Sequence, residues 1–185
     1  EMPDVQIIIL GSGDNRYYEH LFQIQKSFPK QVGLHMRADF RLPRKLFAGA
    51  DIMLIPSLFE PGGIVALEAL RYGAVPVVRR TGGLNDIITD FDPNTGEGNG
   101  FSFANKDRWS LYTAIIESLT TYKNKNLWKK LIHNCMLCDS SWEHSAKEYL
   151  NWYEKIIEER QRATSLTPHP AYGAIARPAE QGVIT

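Results

Sequence analysis

Short runs of β-branched and aliphatic residues alternate along this chain with longer stretches whose apolar residues recur three and four positions apart. No other feature constrains the fold as much. Strand–helix–strand order joins neighbouring strands by right-handed crossovers into a mostly parallel sheet with helices packed against it. Val5–Leu10, Val32–Met36, Asp51–Ile55, Ala74–Val78 and Phe101–Phe103 read as strands. Tyr17–Phe28, Leu42–Ala48, Gly63–Tyr72 and Gly83–Thr89 read as helices between them. Pro29 ends the first helix and Gly73 the third. Pro76 falls at an awkward place for a central ladder, because it has no N–H to donate. Asp92–Gly100 is a turn-rich loop without an apolar residue. Beyond it, Trp109–Tyr122, Leu127–Cys138 and Glu143–Arg160 read as successive helices, with Ser141 placed to start the last. From Ala163 the composition shifts to Ala, Pro, Gly and Thr without periodicity. The expected organisation is one α/β domain over 1–162 and a tail or linker over 163–185.

At 185 residues, 43% hydrophobic and 23% charged, the chain can bury a core without a disulfide or metal staple. Lys plus Arg and Asp plus Glu both number 21, so there is no net charge. That balance argues against a nucleic-acid footprint and against a polybasic membrane surface. The apolar run Val5–Leu10 is far shorter than the roughly 20 residues of a membrane span, and no secretory signal is evident. The expectation is therefore no nucleic acid and no membrane among the partners. The chain opens Glu1-Met2-Pro3-Asp4 and enters a strand almost at once, so natural sequence is expected upstream. Two cysteines, Cys135 and Cys138, imply no disulfide framework and a reducing compartment.

In parallel α/β sheets ligands bind beyond the carboxyl ends of the strands. Three segments occupy such places: Gly11-Ser12-Gly13 after the first strand, the loop after Ile55, and the loop after Val78. The second is the most informative. Pro56 to Leu70 reads as a strand end, a loop carrying Glu60, the pair Gly62-Gly63, and then a helix. Paired glycines admit close approach of a ligand to the backbone, and a helix start offers unpaired N–H groups suited to phosphate. Glu68 lies eight residues beyond Glu60, about two helical turns on. Two acids so placed could hold two ends of a sugar nucleotide by its hydroxyls. On residues alone the alternative stays open: Glu60 as a helix cap, Gly62-Gly63 as a plain turn, Glu68 as a solvated side chain.

The same segment resembles the E-x7-E region of glycosyltransferases with the GT-B architecture. The run Ala69 to Asp86, which contains Arg79-Arg80-Thr81-Gly82-Gly83-Leu84, closely resembles the bacterial glycogen synthase and plant starch synthase family. So do Gly11-x-Gly13-Asp14, Ala48-Gly49-Ala50-Asp51, Gly98-x-Gly100-Phe101-x-Phe103 and Asp139 to Ala146. The resemblance covers about residues 5 to 157.

It implies a Rossmann-like parallel sheet flanked by helices: the second domain of a GT-B enzyme, lacking its first strand–helix unit, with a helical carboxyl-terminal part. It implies transfer of glucose from ADP-glucose to the non-reducing end of an α-1,4-glucan, with retention of configuration and without a metal or other cofactor. The partners implied are the nucleotide sugar, the glucan acceptor and a missing first GT-B domain. The family's second domain opens with a further strand and a loop carrying an Arg and a Lys that contact the donor phosphates. The fragment alone is not expected to turn over. The implied location is the cytoplasm, or the plastid in a plant or alga. Carried over by position, Glu60 is the catalytic-site residue that contacts donor glucose. Gly62, Gly63 and Ile64 offer backbone N–H groups to glucose and phosphates, and Val65 stands where many members have Thr. Gly62 replaces a common Cys. Glu68 departs from many bacterial glycogen synthases and matches the wider pattern, in which the second acid binds ribose. Thr81 is a donor-side residue on the loop after the fourth strand; Gly11 and Gly13 form the turn after the first.

Alternatives remain. Because UDP-sugar enzymes keep the second acid, a GT-B transferase using UDP-glucose or another donor or acceptor is the runner-up. A non-catalytic module that binds glucan or a partner comes from a different class. Arg79-Arg80 could clamp phosphate or form a structural ion pair. The basic cluster Arg37, Arg41, Arg44 and Lys45 could face a ligand, or simply water. His133, Cys135, Cys138 and His144 invite a zinc reading, but the spacing is crowded and the cysteines fall within a helix, so no metal site is assigned. Trp109, Trp128, Trp142 and Trp152 read as packing residues, with a sugar platform as the alternative.

Overall fold

The structure of the protein, a computed structural model, describes residues 4–36 and 42–166. Of the expected tail over 163–185 only 163–166 are described, and the basic residues Arg37 and Arg41 lie outside the described residues. The chain divides into two compact units, Glu1–Cys138 and Asp139–Thr185.

In the first unit the elements run β1 (Ile7–Leu10), α1 (Asn15–Ser27), β2 (Val32–His35), α2 (Leu42–Gly49), β3 (Ile52–Ile55), α3 (Ile64–Tyr72), β4 (Val75–Arg79), α4 (Gly83–Ile87), β5 (Phe101–Phe103), α5 (Arg108–Lys123) and α6 (Lys125–Leu137). Every strand pairing is parallel, as the strand–helix alternation predicts. The described strands nevertheless form two sheets, β1-β2 and β3-β4-β5. No residue of β1, α1 or β2 joins either hydrophobic core cluster. Ile7, Ile8 and Leu54, on the strands that end the two sheets, stay exposed.

The core is built around β4. Its sequence, apolar at successive positions, suits a strand covered on both faces, and Val75, Val77 and Val78 are fully buried. Leu70 of α3, Leu84 of α4, Ala114 of α5 and Leu131 and Cys135 of α6 close over the sheet. A smaller cluster of Phe47, Ala69 and Ala74 seats α2 on α3. Pro76 proves compatible with the central strand. The Val75 amide donates to Asp51 on the β3 side, so the Pro76 nitrogen faces the other side, where pairing with β5 begins only at Val77. Gly73 ends α3 in the left-handed region at φ 75, as its position in sequence predicts.

The loop between α4 and β5 folds back on itself, bridging Asp92 to Glu97 and Asp90 to Gly100. It is held from α6. The Asn134 side chain donates to the Gly96 and Gly98 carbonyls, Lys130 to the Thr95 carbonyl, and the Cys135 thiol to the Asn99 carbonyl. The Asn99 side-chain Nδ2 in turn donates to Cys138 Sγ. Both cysteines are thus taken up by this loop, and no cluster of metal-ligating side chains occurs among the described residues. Trp128 is in the core, edge-on to Tyr122; Trp109 is exposed.

The second unit contains one described helix, α7 (Trp142–Leu166). The Ser141 hydroxyl accepts from the His144 amide at 3.2 Å, the start that the sequence predicts. The helix runs past Arg160, where the periodic reading stops, because Gln161, Arg162 and Ala163 are all strong helix formers. Trp142 and Trp152 are exposed on it. No helix among the described residues is long and apolar enough to cross a membrane.

Candidate functional site

Adjacent parallel strands end at the same side of their sheet. The register of β3 with β4 sets Ile55 opposite Val78, so the loops that follow them emerge together. The β3 loop runs from Pro56 to Gly63 and leads into α3; the β4 loop, Arg80 to Gly82, leads into α4.

The two loops are in direct backbone contact. The Gly83 amide donates to the Glu60 carbonyl at 3.1 Å and to the Pro61 carbonyl at 3.2 Å. A Cβ on Gly82 would lie 2.2 Å from the Glu60 carbonyl oxygen, and one on Gly83 would lie 2.7 Å from the Gly62 carbonyl carbon. Gly82 also sits at φ 46, ψ −136, a conformation that L side chains rarely adopt. The Gly82-Gly83 pair is therefore a requirement of loop-to-loop packing. Thr81, half-buried, accepts from the Leu84 amide through its carbonyl and opens α4.

Glu60 is half-buried. Its Oε1 accepts from the Gly63 amide at 3.2 Å, at the very start of α3. Gly63 is buried and lies in the left-handed region at φ 63, where an added Cβ would press on Ile87. The carboxylate thus sits at the start of α3, where negative charge is favoured, as the helix-cap alternative for Glu60 also predicts. Along α3 the buried side is Ala66, Ala69 and Leu70, while Ile64, Val65 and Glu68 are exposed. Residues three and four apart share a helix face, so Glu68 stands on the same open face as Ile64 and Val65.

The structure brings Glu60, Gly62, Gly63, Ile64, Val65, Glu68 and Thr81 to this end of the three-stranded sheet and its first helix. It does not join Gly11 and Gly13 to them through the sheet. That turn follows β1, which among the described residues pairs only with β2. Neither glycine has any atom within 4 Å of its added Cβ, so close packing does not explain their presence.

The two arginines at the end of β4, Arg79 in the strand and Arg80 just beyond it, bond protein groups. Arg79 Nε donates to the Ser57 carbonyl at 2.8 Å and Nη2 to the Leu58 carbonyl at 2.5 Å. Arg80 pairs with Asp90 and donates to the Ser102 hydroxyl. Both guanidiniums thus spend donors on protein groups, and the ion pair among these contacts is that of Arg80 with Asp90. Arg79 bonds neutral carbonyls, a use that sequence spacing does not signal. Arg44 and Lys45 of the basic cluster are exposed on α2.

Residues 1–135 match the family model described as glycosyl transferases group 1. The chain belongs to this family. Among relatives of this glycosyltransferase chain, the glycogen synthase of Thermosipho melanesiensis is 45% identical over 158 residues, which are 85% of the chain and 33% of that protein. The catalytic domain of Arabidopsis thaliana starch synthase IV, solved bound to ADP and acarbose, superimposes with a TM-score of 0.71 at 32% identity, covering 81% of the chain and 32% of that structure. An Anabaena protein, HepE, solved in complex with UDP-glucose, matches with a TM-score of 0.56 at 25% identity, covering 72% and 35% respectively. The likeness to glycogen and starch synthases thus extends over most of the glycosyltransferase chain. The chain spans about a third of the length of the curated relatives it matches.

Proposed function

We propose that this chain is the donor-binding part of a retaining α-1,4-glucan synthase, one that moves glucose from ADP-glucose to the non-reducing end of glycogen or starch. The observation that carries the proposal is the placement of the Glu60 carboxylate on the Gly63 amide, where two strand-end loops lock together at the start of α3. In this reading Glu60 orients the donor glucose through its hydroxyls. The backbone at Gly62, Gly63 and Ile64, beside Val65, faces the glucose and phosphates. Glu68 reaches the ribose from the open face of α3, Thr81 borders the donor from the second loop, and Gly11-Gly13 flank the site.

The chemistry follows from the charge that donor cleavage leaves on the nucleoside diphosphate. N–H dipoles fixed in advance stabilise that charge as it forms. The reading assigns this work to backbone amides and calls for no metal or cofactor. The intact enzyme adds a first GT-B domain and the glucan acceptor, and works in the cytoplasm. Residues 1–162 are then the partial nucleotide-sugar-binding domain, and 163–185 a tail or linker.

The testing experiment is a calorimetric titration of the chain with ADP and with UDP, on wild type and Glu68→Ala. Saturable ADP binding, weakened by the substitution, is expected. UDP binding without ADP binding favours the second reading, a UDP-sugar transferase, which the UDP-glucose-bound HepE likeness keeps in view. Binding of neither nucleotide to a folded chain counts against a self-sufficient donor half-site.

A further inference from the structure

We propose that Arg79 is a positioning residue for the Glu60 loop; this rests on the donor-site reading of Glu60. Arg79 closes β4, and its guanidinium reaches back across 21 and 22 positions of sequence to the Leu58 and Ser57 carbonyls. A guanidinium holds its donors in a rigid planar fork, so two bonds from it fix both the place and the tilt of the segment they grip. Little else restrains that segment. Leu58 is 58% exposed and Phe59 is 81% exposed, so burial does not hold them. Among the described residues no other hydrogen bond reaches Ser57, Leu58 or Phe59. Glu60 follows directly, tied by its carbonyl to Gly83 and by its carboxylate to Gly63. Arg79 and the Gly83 amide are thus the two clamps on either side of the Glu60 side chain, and both belong to the β4 end.

The neighbouring Arg80 is the internal control. It turns the other way, to Asp90 and Ser102, and touches no atom of the Glu60 loop in the bonds it makes. A small displacement of a positioned group costs on the order of 10²-fold in rate. Releasing Arg79 should therefore act on turnover rather than on donor affinity.

Two readouts test this. In the chain itself, amide hydrogen exchange is followed in Arg79→Gln, Arg79→Lys and Arg80→Gln. Arg79→Gln is expected to speed exchange of the Gly63 and Gly83 amides, the two that donate to Glu60, by about tenfold or more while β4 amides keep their protection. Arg79→Lys, whose ammonium lacks the fork, is expected to fall between, and Arg80→Gln to leave the Gly63 and Gly83 amides unchanged. In the longer protein that the donor-site reading calls for, Arg79→Gln should lower kcat by about 10- to 100-fold with KM for the donor within about threefold, and Arg79→Lys should recover part of the loss. Unchanged exchange at both the Gly63 and Gly83 amides overturns the proposal. So does an unchanged kcat in Arg79→Gln when Glu60→Gln is inactive. Retained turnover in Glu60→Gln instead overturns the donor-site reading, while the exchange result still decides whether Arg79 holds the loop.

Discussion

The Gly83 amide donates to the Glu60 carbonyl at 3.1 Å, so the acid loop after β3 is bonded through its own backbone to the loop after β4. The bond forms because Gly82 and Gly83 bring no Cβ into the space that the Glu60 and Gly62 carbonyls occupy. Loop chemistry and sheet register meet at this point: parallel neighbours bring the loops side by side, and two glycines let them touch.

The first prediction separates the glycines of these loops. Gly82→Ala is expected to destabilise the chain by at least about 2 kcal/mol, from a forbidden backbone conformation and a Cβ 2.2 Å from the Glu60 oxygen. Gly62→Ala, whose Cβ meets only Ile64 Cγ1 at 3.8 Å, is expected to change stability by less than about 0.5 kcal/mol. Urea unfolding midpoints at constant m-value measure both.

The second concerns the clasp on the Asp92–Gly100 loop. Asn134→Ala removes the bonds to the Gly96 and Gly98 carbonyls, at 2.9 and 2.8 Å. It is expected to cost about 1–3 kcal/mol, with amide protection falling first in the loop and at the start of β5. Asn134→Asp is expected to do no better, since a carboxylate has no proton for either carbonyl.

The third is a pH dependence. Burial, with a smaller contribution from Cys138, pushes the Cys135 thiol from 9.0 up to about 12. Below 9.0 the thiol is neutral in both states and full stability is present. Between 9.0 and about 12 only the unfolded chain ionises, so stability is lost as pH rises. Cys135→Ala is expected to flatten the alkaline limb of a stability–pH curve. In the native wild type, iodoacetamide is expected to modify half-buried Cys138 well before buried Cys135.

The fourth follows from the edges of β1 and β3 that no strand among the described residues pairs. A chain extended at its amino end by a further parallel strand is expected to seat that strand between them, uniting the two sheets and covering Ile7, Ile8 and Leu54. Hydrogen exchange in β1 and β3 is then expected to slow together with that of β4. Unchanged β1 exchange in the extended chain rules this arrangement out.

Much of the fold was legible because its signals are local. Apolar runs four or five residues long, helical periodicity, Gly73 as a stop and Ser141 as a cap all act within a turn or two of their own position. The elements they mark agree with the structure to within a few residues. The carboxyl-end rule points to the loops after Ile55 and Val78 and to Gly11-Ser12-Gly13; the structure sets the first two side by side and puts the third after a strand of the other sheet. What the sequence could not decide were partners far apart along the chain. Arg79 and Arg80 are identical neighbours, yet one bonds the Ser57 and Leu58 carbonyls and the other Asp90 and Ser102. Gly82 and Gly62 look alike in a loop, but only Gly82 lies against another backbone. The division of the described strands into two sheets, with the Gly11–Gly13 turn following one and the Glu60 loop the other, and the capture of both cysteines by Asn99 are of the same kind. Each depends on which surfaces packing brings together, and local chain preferences carry no record of that. Strand and helix identity were thus determined by the sequence itself; the assembly of the Glu60 loop was decided by the register of β3 on β4, which sets two distant loops within hydrogen-bond reach.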